Sequence, residues 1–267
     1  MSTTASSPAG VPRVYLAVPT HSNTITVEAA ITTLEFTQLA MQRGAVVQTV
    51  FYSASIISHL RNMIVADFLA GDFSHLFMLD ADQGLPAPLI FKMLDSGYPV
   101  VGVLYPRRNF GWQQVDLQKA QRGVPDVLHQ GLRFVGEPLL DATGQLTVAN
   151  GLARARSVGT GALLIRRAAL ERMCTQYPEL RGQGFPDEDE NLPRAPHNWG
   201  FFNPLVQATD GRNAGEDIGF CQRWLDCGGE IWADFVTGTT HVGRFPFSGS
   251  YWEHLQALGR TATGREA

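Results

Sequence analysis

The stretch HLFMLDADQGL, residues 75–85, sets a largely apolar run of strand length against two carboxylates, Asp80 and Asp82, separated by one residue. An ordinary polar strand end has no need of acids in particular. Two carboxylates at this spacing suit a divalent cation, because Mg²⁺ and Mn²⁺ take oxygen ligands and bridge phosphate oxygens. The spacing is weak by itself. Asp187-Glu188-Asp189 repeats it inside a proline-rich polar segment, where it reads as a solvated acidic run. What distinguishes Asp80 and Asp82 is the strand before them.

Working outward, RVYLAVP (13–19) reads as a buried strand, and AVVQTVFY (45–52), HLFMLD (75–80) and YPVVGVLY (98–105) as three further strands. A helix is predicted from about Thr26 to Arg43, with Val27, Ala30, Ile31, Leu34 and Met41 as its inward face and Gly44 as its stop. A second, capped by Ser53 or Ser55, carries Ile57, Leu60, Ile64 and Phe68 inward and ends near Gly71; APLIFKMLDSG forms a third, closed by Gly97. Strand and helix thus alternate, and the strands are apolar throughout. The pattern predicts an α/β fold, a Rossmann-like, mostly parallel central sheet with helices on both faces. Ligands of such sheets sit beyond the carboxyl ends of the strands, where Asp80 and Asp82 lie.

After Tyr105 the pattern changes. VDLQKAQRG is helix-like, EPLLDATGQLTVA reads as a hairpin turning at Thr143-Gly144, and ARSVGTGALLIRRAALERM as a strand running into a helix. Residues 181–200 read as a long loop, a lid over the acceptor side and not a strand-forming element. The helix GEDIGFCQRWLDCGG, the strand EIWADF and the loop VTGTTHVGRFPFSGSY follow. There is no internal repeat and no clean linker. One domain is expected over 13–255, with a nucleotide-binding half (13–106) and an acceptor half (107–255), between a flexible N-terminus (1–12) and a C-terminal tail (256–267).

Composition narrows the function classes. A chain of 267 residues with 44% apolar residues can bury a sizeable core. A formal net charge of -4 gives no bulk attraction to nucleic acid. Cys174, Cys221 and Cys227 form no C-x-x-C pair, which suits a reducing compartment. The N-terminus lacks the basic and apolar regions of a signal peptide, and no apolar run reaches membrane-helix length. A cytoplasmic protein is expected.

Other residues could serve a site at the strand ends. Glu216 and Asp217 open a helix, where acids compensate the helix dipole or, aimed into a cleft, act as general base. Neighbours on a helix point about 100° apart, so one of the two is expected to face the cleft. His241 is either a satisfied polar residue or an imidazole donor to a carboxylate-bound metal. Gly159 and Gly161, flanking Thr160, permit close backbone approach to a ligand or merely a bulge. Arg61 and the pair Arg107–Arg108 could meet a diphosphate.

In this order, VYLAVPT, RNMIVADFL, HLFMLDADQGL, YPVVGVLYPRR, VGTGALLIRRAAL, GEDIGFCQRWLDCGGEIWAD and the late HVG resemble a glycosyltransferase of the GT-A type, related to bacterial and phage members of family 2. The resemblance runs from Arg13 to Tyr251. It implies transfer of a sugar from a nucleotide-sugar donor, with a UDP-sugar the default and a GDP-sugar the second choice. It implies a Mn²⁺ or Mg²⁺ cofactor, with Asp82 as main metal ligand, Asp80 acting through the ribose or a water, and His241 completing the shell. Asp217 matches the acid that faces the acceptor hydroxyl, which implies inversion. Thr20, Arg61, Gly159, Thr160 and Gly161 match donor-binding positions. Segment 181–200 departs from the family pattern and leaves the acceptor open: glycan, lipid, protein, small molecule or modified nucleic-acid base.

Three other readings compete with this resemblance. A haloacid-dehalogenase-type phosphatase places its aspartate on the first strand before D-G-T, whereas Asp80 is on the third and Gln83 stands where the glycine belongs. A sugar-nucleotide pyrophosphorylase needs a glycine-rich basic loop after the first strand, and VPTHSNTIT has no glycine. A non-catalytic nucleotide- or sugar-binding module of the same fold is the alternative that residue types alone leave standing.

Overall fold

A computed structural model describes residues 11–124, 126–182, 191–206, 213–244, 246–260 and 263–265. The first half follows the predicted alternation: β1 (Arg13–Thr20), α1 (Val27–Gln42), β2 (Val46–Ser53), α2 (Ile57–Ala70), β3 (His75–Leu79), a short β4 (Gln83–Gly84), α3 (Ala87–Asp95) and β5 (Val100–Val103). The fourth predicted strand breaks at Leu104. Its continuation, β6 (Tyr105–Phe110), leaves the main sheet and pairs with β7 (Leu132–Val135) beyond the short helix α4 (Leu117–Gln121). Then come β8 (Glu137–Pro138), β9 (Thr147–Ala149), β10 (Leu152–Ser157), β11 (Ala162–Arg166) and α5 (Arg167–Gln176). A small pair, β12 (Leu205–Val206) and β13 (Asn213–Ala214), precedes α6 (Glu216–Asp226), β14 (Ile231–Asp234), β15 (Thr239–Val242), β16 (Pro246–Gly249), α7 (Tyr251–Ala257) and β17 (Thr263–Arg265).

The main sheet runs β17-β9-β10-β14-β5-β11-β3-β1-β2, with β8 also on β10. Most of its strands point one way; β11 and β10 run against them. β11 lies between β3 and β5, so both stretches of chain share one mixed α/β sheet. Both faces are covered. Leu16, Phe77, Val101 and Leu164 pack with Phe36 of α1 and Ile90 of α3 on one side. Ala17, Met78, Val100 and Leu163 meet Ile64 of α2, Leu170 of α5 and Phe220 of α6 on the other. With no polar face to show, these strands read as continuous apolar runs.

Four local expectations are corrected. In α1 the predicted inward face is largely outward: Val27, Leu34 and Met41 are each 70% exposed and Ile31 48%, while Ala29, Thr32, Thr33, Phe36 and Ala40 are buried. The threonines can be buried because Thr33 donates its hydroxyl to the Ala29 carbonyl and Thr32 to those of Glu28 and Leu85. Phe36 supplies the bulk, against Phe77 and Phe91. In α2 neither serine caps the helix; Ile56 stands at the N-cap with no side-chain hydrogen bond.

The 137–149 turn forms around Asp141, which accepts from the Thr143 and Gln145 amides, but its arms β8 and β9 pair with β10 instead of each other. Segment 181–200 is not a free loop at its ends. Arg181 bridges Trp199, the Gly182 amide reaches the Asn198 carbonyl at 2.9 Å, and Trp199 stacks on fully buried Phe201. Residues 183–190, with the acidic run 187–189 and part of the expected lid, lie outside the described residues, as does the N-terminus to residue 10. Among the described residues, no helix is long and apolar enough to cross a membrane.

Candidate active site

The turn after β3 is pinned on three sides. The Asp80 amide donates to the Gly161 carbonyl at 2.9 Å, the Thr26 amide to the Ala81 carbonyl at 2.8 Å, and the Val242 amide to the Asp82 carbonyl at 2.8 Å. β11, the start of α1 and the end of β15 therefore fix both carboxylates, so their backbone needs no ligand to hold it in place.

Asp80 accepts from Arg61 of α2, at 3.1 Å to Oδ1 and 3.3 Å to Oδ2. Arg61 is only 4% exposed. Its Nη1 lies 3.4 Å from Glu216 Oε1, and Nε and Nη1 make no hydrogen bond in the structure. A guanidinium buried with donors to spare is costly unless something fills them. Asp82 Oδ2 accepts from Arg108 Nη1 at 2.8 Å and lies 3.4 Å from His241 Nε2. His241 donates the proton on Nδ1 to the Pro106 carbonyl at 2.8 Å, which leaves Nε2 as the ring nitrogen that faces Asp82. The edge of Tyr105 packs on this imidazole, with centroids 5.5 Å apart.

The two aspartates differ electrically. Burial pushes the Asp80 carboxyl above its ordinary range against the pull of Arg61, and the charges of Asp82 and Asp217 push the same way. Burial also opposes the Asp82 charge, but His241 and Arg108 outweigh it and hold that carboxyl low. Asp80 and Glu216 lie against Arg61, Asp82 lies against Arg108, and Asp217 is close enough for Asp80 to feel its charge, so carboxyl groups outnumber arginines around the site.

A cavity of about 690 Å³ opens beside this cluster, walled by Thr20, Ser22, Arg61, Asp80, Asp82 and Arg108 among others. It lies beyond the carboxyl ends of β1 and β3. Thr20 gives its hydroxyl to the Tyr52 carbonyl at 2.8 Å. Gly159, Thr160 and Gly161 do not wall this cavity; they are buried beneath it. The two glycines have a packing reason: a Cβ would meet the Tyr105 hydroxyl at 2.2 Å from Gly159 and 2.8 Å from Gly161. Glu216 and Asp217 open α6 next to the cluster. Glu216 reaches Arg61, and Asp217 is near enough for Asp80 and Tyr105 to feel its charge, although its Oδ1 accepts from the Ile218 amide at 2.7 Å.

No family model matches the sequence, and no curated protein matches it. Among solved structures, the chain is similar to A197 from STIV (14% identity, 86% of each chain, TM-score 0.42). It is also similar to a glycosyltransferase involved in glycosylation of the major capsid of PBCV-1 (13% identity, 69% of this chain and 78% of that one, TM-score 0.30). A third is UDP-glucose pyrophosphorylase complexed with UDP-glucose (10% identity, 92% and 79%, TM-score 0.34). At these identities and scores no residue role passes from them to this chain.

Among the described residues, no group of three or more His, Cys, Asp or Glu side chains converges as a metal site. Asp82 Oδ2 and His241 Nε2 nonetheless lie 3.4 Å apart, and the Pro106 carbonyl orients the imidazole as the partner of a metal-bound histidine would. Two protein donors fit Mg²⁺ or Mn²⁺, which take further oxygens from substrate phosphate and water. Asp80, committed to Arg61, fits a role through water or a substrate hydroxyl better than a direct one. Sequence reasoning did not pair Glu216 with Arg61, Arg108 with Asp82 or His241 with the Pro106 carbonyl. Those pairings run across the fold, and the local sequence carries no signal for them.

Proposed function

We propose that the chain is a metal-dependent glycosyltransferase that moves a hexose from a nucleotide-sugar, UDP-linked by default and GDP-linked as second choice, to an acceptor hydroxyl. The observation that carries this is Arg61: a nearly buried guanidinium, paired with Asp80 and Glu216, that helps wall a cavity shared with Asp80 and Asp82. A planar guanidinium in a desolvated wall suits phosphate oxygens. The carboxylates opposite would repel a diphosphate unless a cation joined them.

Asp82 and His241 would hold that cation, Mn²⁺ or Mg²⁺. When bound, it neutralises charge gathering on the departing diphosphate. Arg61 would grip the same group from the other side, and Thr20 would line the nucleotide's path. Asp217, at the rigid start of α6, would accept the proton of the acceptor hydroxyl as its oxygen bonds to the anomeric carbon and the bond from that carbon to the diphosphate breaks. Direct displacement of this kind inverts the anomeric centre.

The test is a melting-temperature panel of nucleoside diphosphates with Mn²⁺ or chelator, followed by turnover of UDP- and GDP-sugars. Stabilisation that needs Mn²⁺, with release of the diphosphate, is the expected result. Binding with neither hydrolysis nor transfer would make the chain a binding module. No response to any diphosphate would remove the donor site.

A further inference from the structure

We infer that Arg108 is a guanidinium stand-in for the cation at Asp82 and moves to the donor's diphosphate when the cation arrives. This rests on the proposed metal-dependent reading and adds an exchange to it. One oxygen, Asp82 Oδ2, receives both Arg108 Nη1 at 2.8 Å and the approach of His241 Nε2 at 3.4 Å. Arg108 thus sits on the donor that the cation needs. Two positive groups at that oxygen repel each other, so each weakens the other's hold on it.

Arg108 is also free to leave. Its side chain is 55% exposed, and its aliphatic stem lies over Gly243, where a Cβ would meet Cδ, Cβ and Cγ at 3.3–3.4 Å. Both residues wall the cavity. Two other arginines near the site, Arg61 and Arg107, are held in place. Arg61 is buried between Asp80 and Glu216, and Arg107 donates its Nε to the Phe134 carbonyl at 2.9 Å. Arg61 is a fixed anion binder, whereas Arg108 has two partners in turn. Before loading it balances Asp82; after loading, the diphosphate is the nearest anion the chemistry supplies.

Cation and nucleotide therefore help each other to bind, and Arg108 carries part of that coupling. Titration calorimetry of wild type and Arg108→Gln, with Mn²⁺ alone, UDP or GDP in chelator, and UDP or GDP in saturating Mn²⁺, reads it directly. The variant is expected to bind Mn²⁺ alone roughly three- to tenfold more tightly, the scale of a half-exposed charged hydrogen bond. Nucleotide affinity in chelator stays within about twofold, because Arg108 is then on Asp82, and in Mn²⁺ it falls by roughly the same three- to tenfold. A nucleotide affinity lowered equally with and without Mn²⁺ would make Arg108 a fixed phosphate contact and overturn the exchange. So would an unchanged affinity for Mn²⁺ alone beside an intact Mn²⁺ response. No Mn²⁺ response in either protein would instead overturn the metal centre itself.

Discussion

Asp82 Oδ2 lies 3.4 Å from His241 Nε2, although more than half the chain separates the two residues. Strand pairing sets that distance, because His241 of β15 is the register partner of Gln83 in β4. A slip of one residue would turn the imidazole to the other face. The loop after β3 and a late strand thus bring together a carboxylate and an imidazole that neither holds alone.

Asp82→Asn tests that site. UDP or GDP at 100 times its dissociation constant stabilises a single-site protein by about 2.7 kcal/mol. The Mn²⁺-dependent part of this is expected to disappear in the variant, as read by melting temperature in Mn²⁺ and in chelator. An unchanged Mn²⁺ response would place the cation elsewhere.

Asp217→Asn is expected to keep the fold and nucleotide affinity while lowering transfer by roughly 10²–10⁴-fold, the scale of a lost general base. Product NMR reports the anomeric configuration. Transfer near wild type would end the role of Asp217 as base, and retention would end direct displacement.

Asn62 ties the chain just after segment 181–200 to α2. It accepts from the Phe202 amide at 2.8 Å and donates to Asn203 at 2.9 Å. Asn62→Ala leaves that buried amide unpaired and is expected to cost about 1–3 kcal/mol in urea unfolding. No change in midpoint would mean that water replaces the contact at little cost.

His75, at the start of β3, has its imidazole lowered from 6.5 to about 4 by burial, with Arg166 adding to the effect. Between these values the unfolded chain binds the proton and the native state refuses it, so stability falls as pH drops from 6.5 towards 4 and levels off below. The loss is about 3 kcal/mol. His75→Leu should lack this part of the slope when unfolding free energies are compared at pH 7 and pH 4.5. Equal slopes in the two proteins would show that the imidazole is not shielded.

The phase of α1 gives the simplest test. Leu34→Gln, on the outer face, should change stability by no more than about 0.5 kcal/mol. Phe36→Ala, which empties the contact with Phe77 and Phe91, should cost about 3–5 kcal/mol. The reverse ranking would restore the face predicted from apolar spacing.

Much of the frame was legible in the sequence. Continuous apolar runs fix buried strands whatever packs on them, so β1, β3 and β5 and the acidic turn after β3 followed from local pattern. Gly44 and Gly71 ended their helices because chain punctuation is also local. Tertiary structure alone decided which side of α1 is buried, since its threonines spend their hydroxyls on carbonyls within reach and a spacing rule counts them as polar. It also decided that β11 enters the sheet between β3 and β5, that Arg61 is buried with donors to spare, and that Arg108 and His241 meet on one oxygen of Asp82. Those relations depend on distances between segments remote in the chain, and residue spacing along a sequence does not encode them.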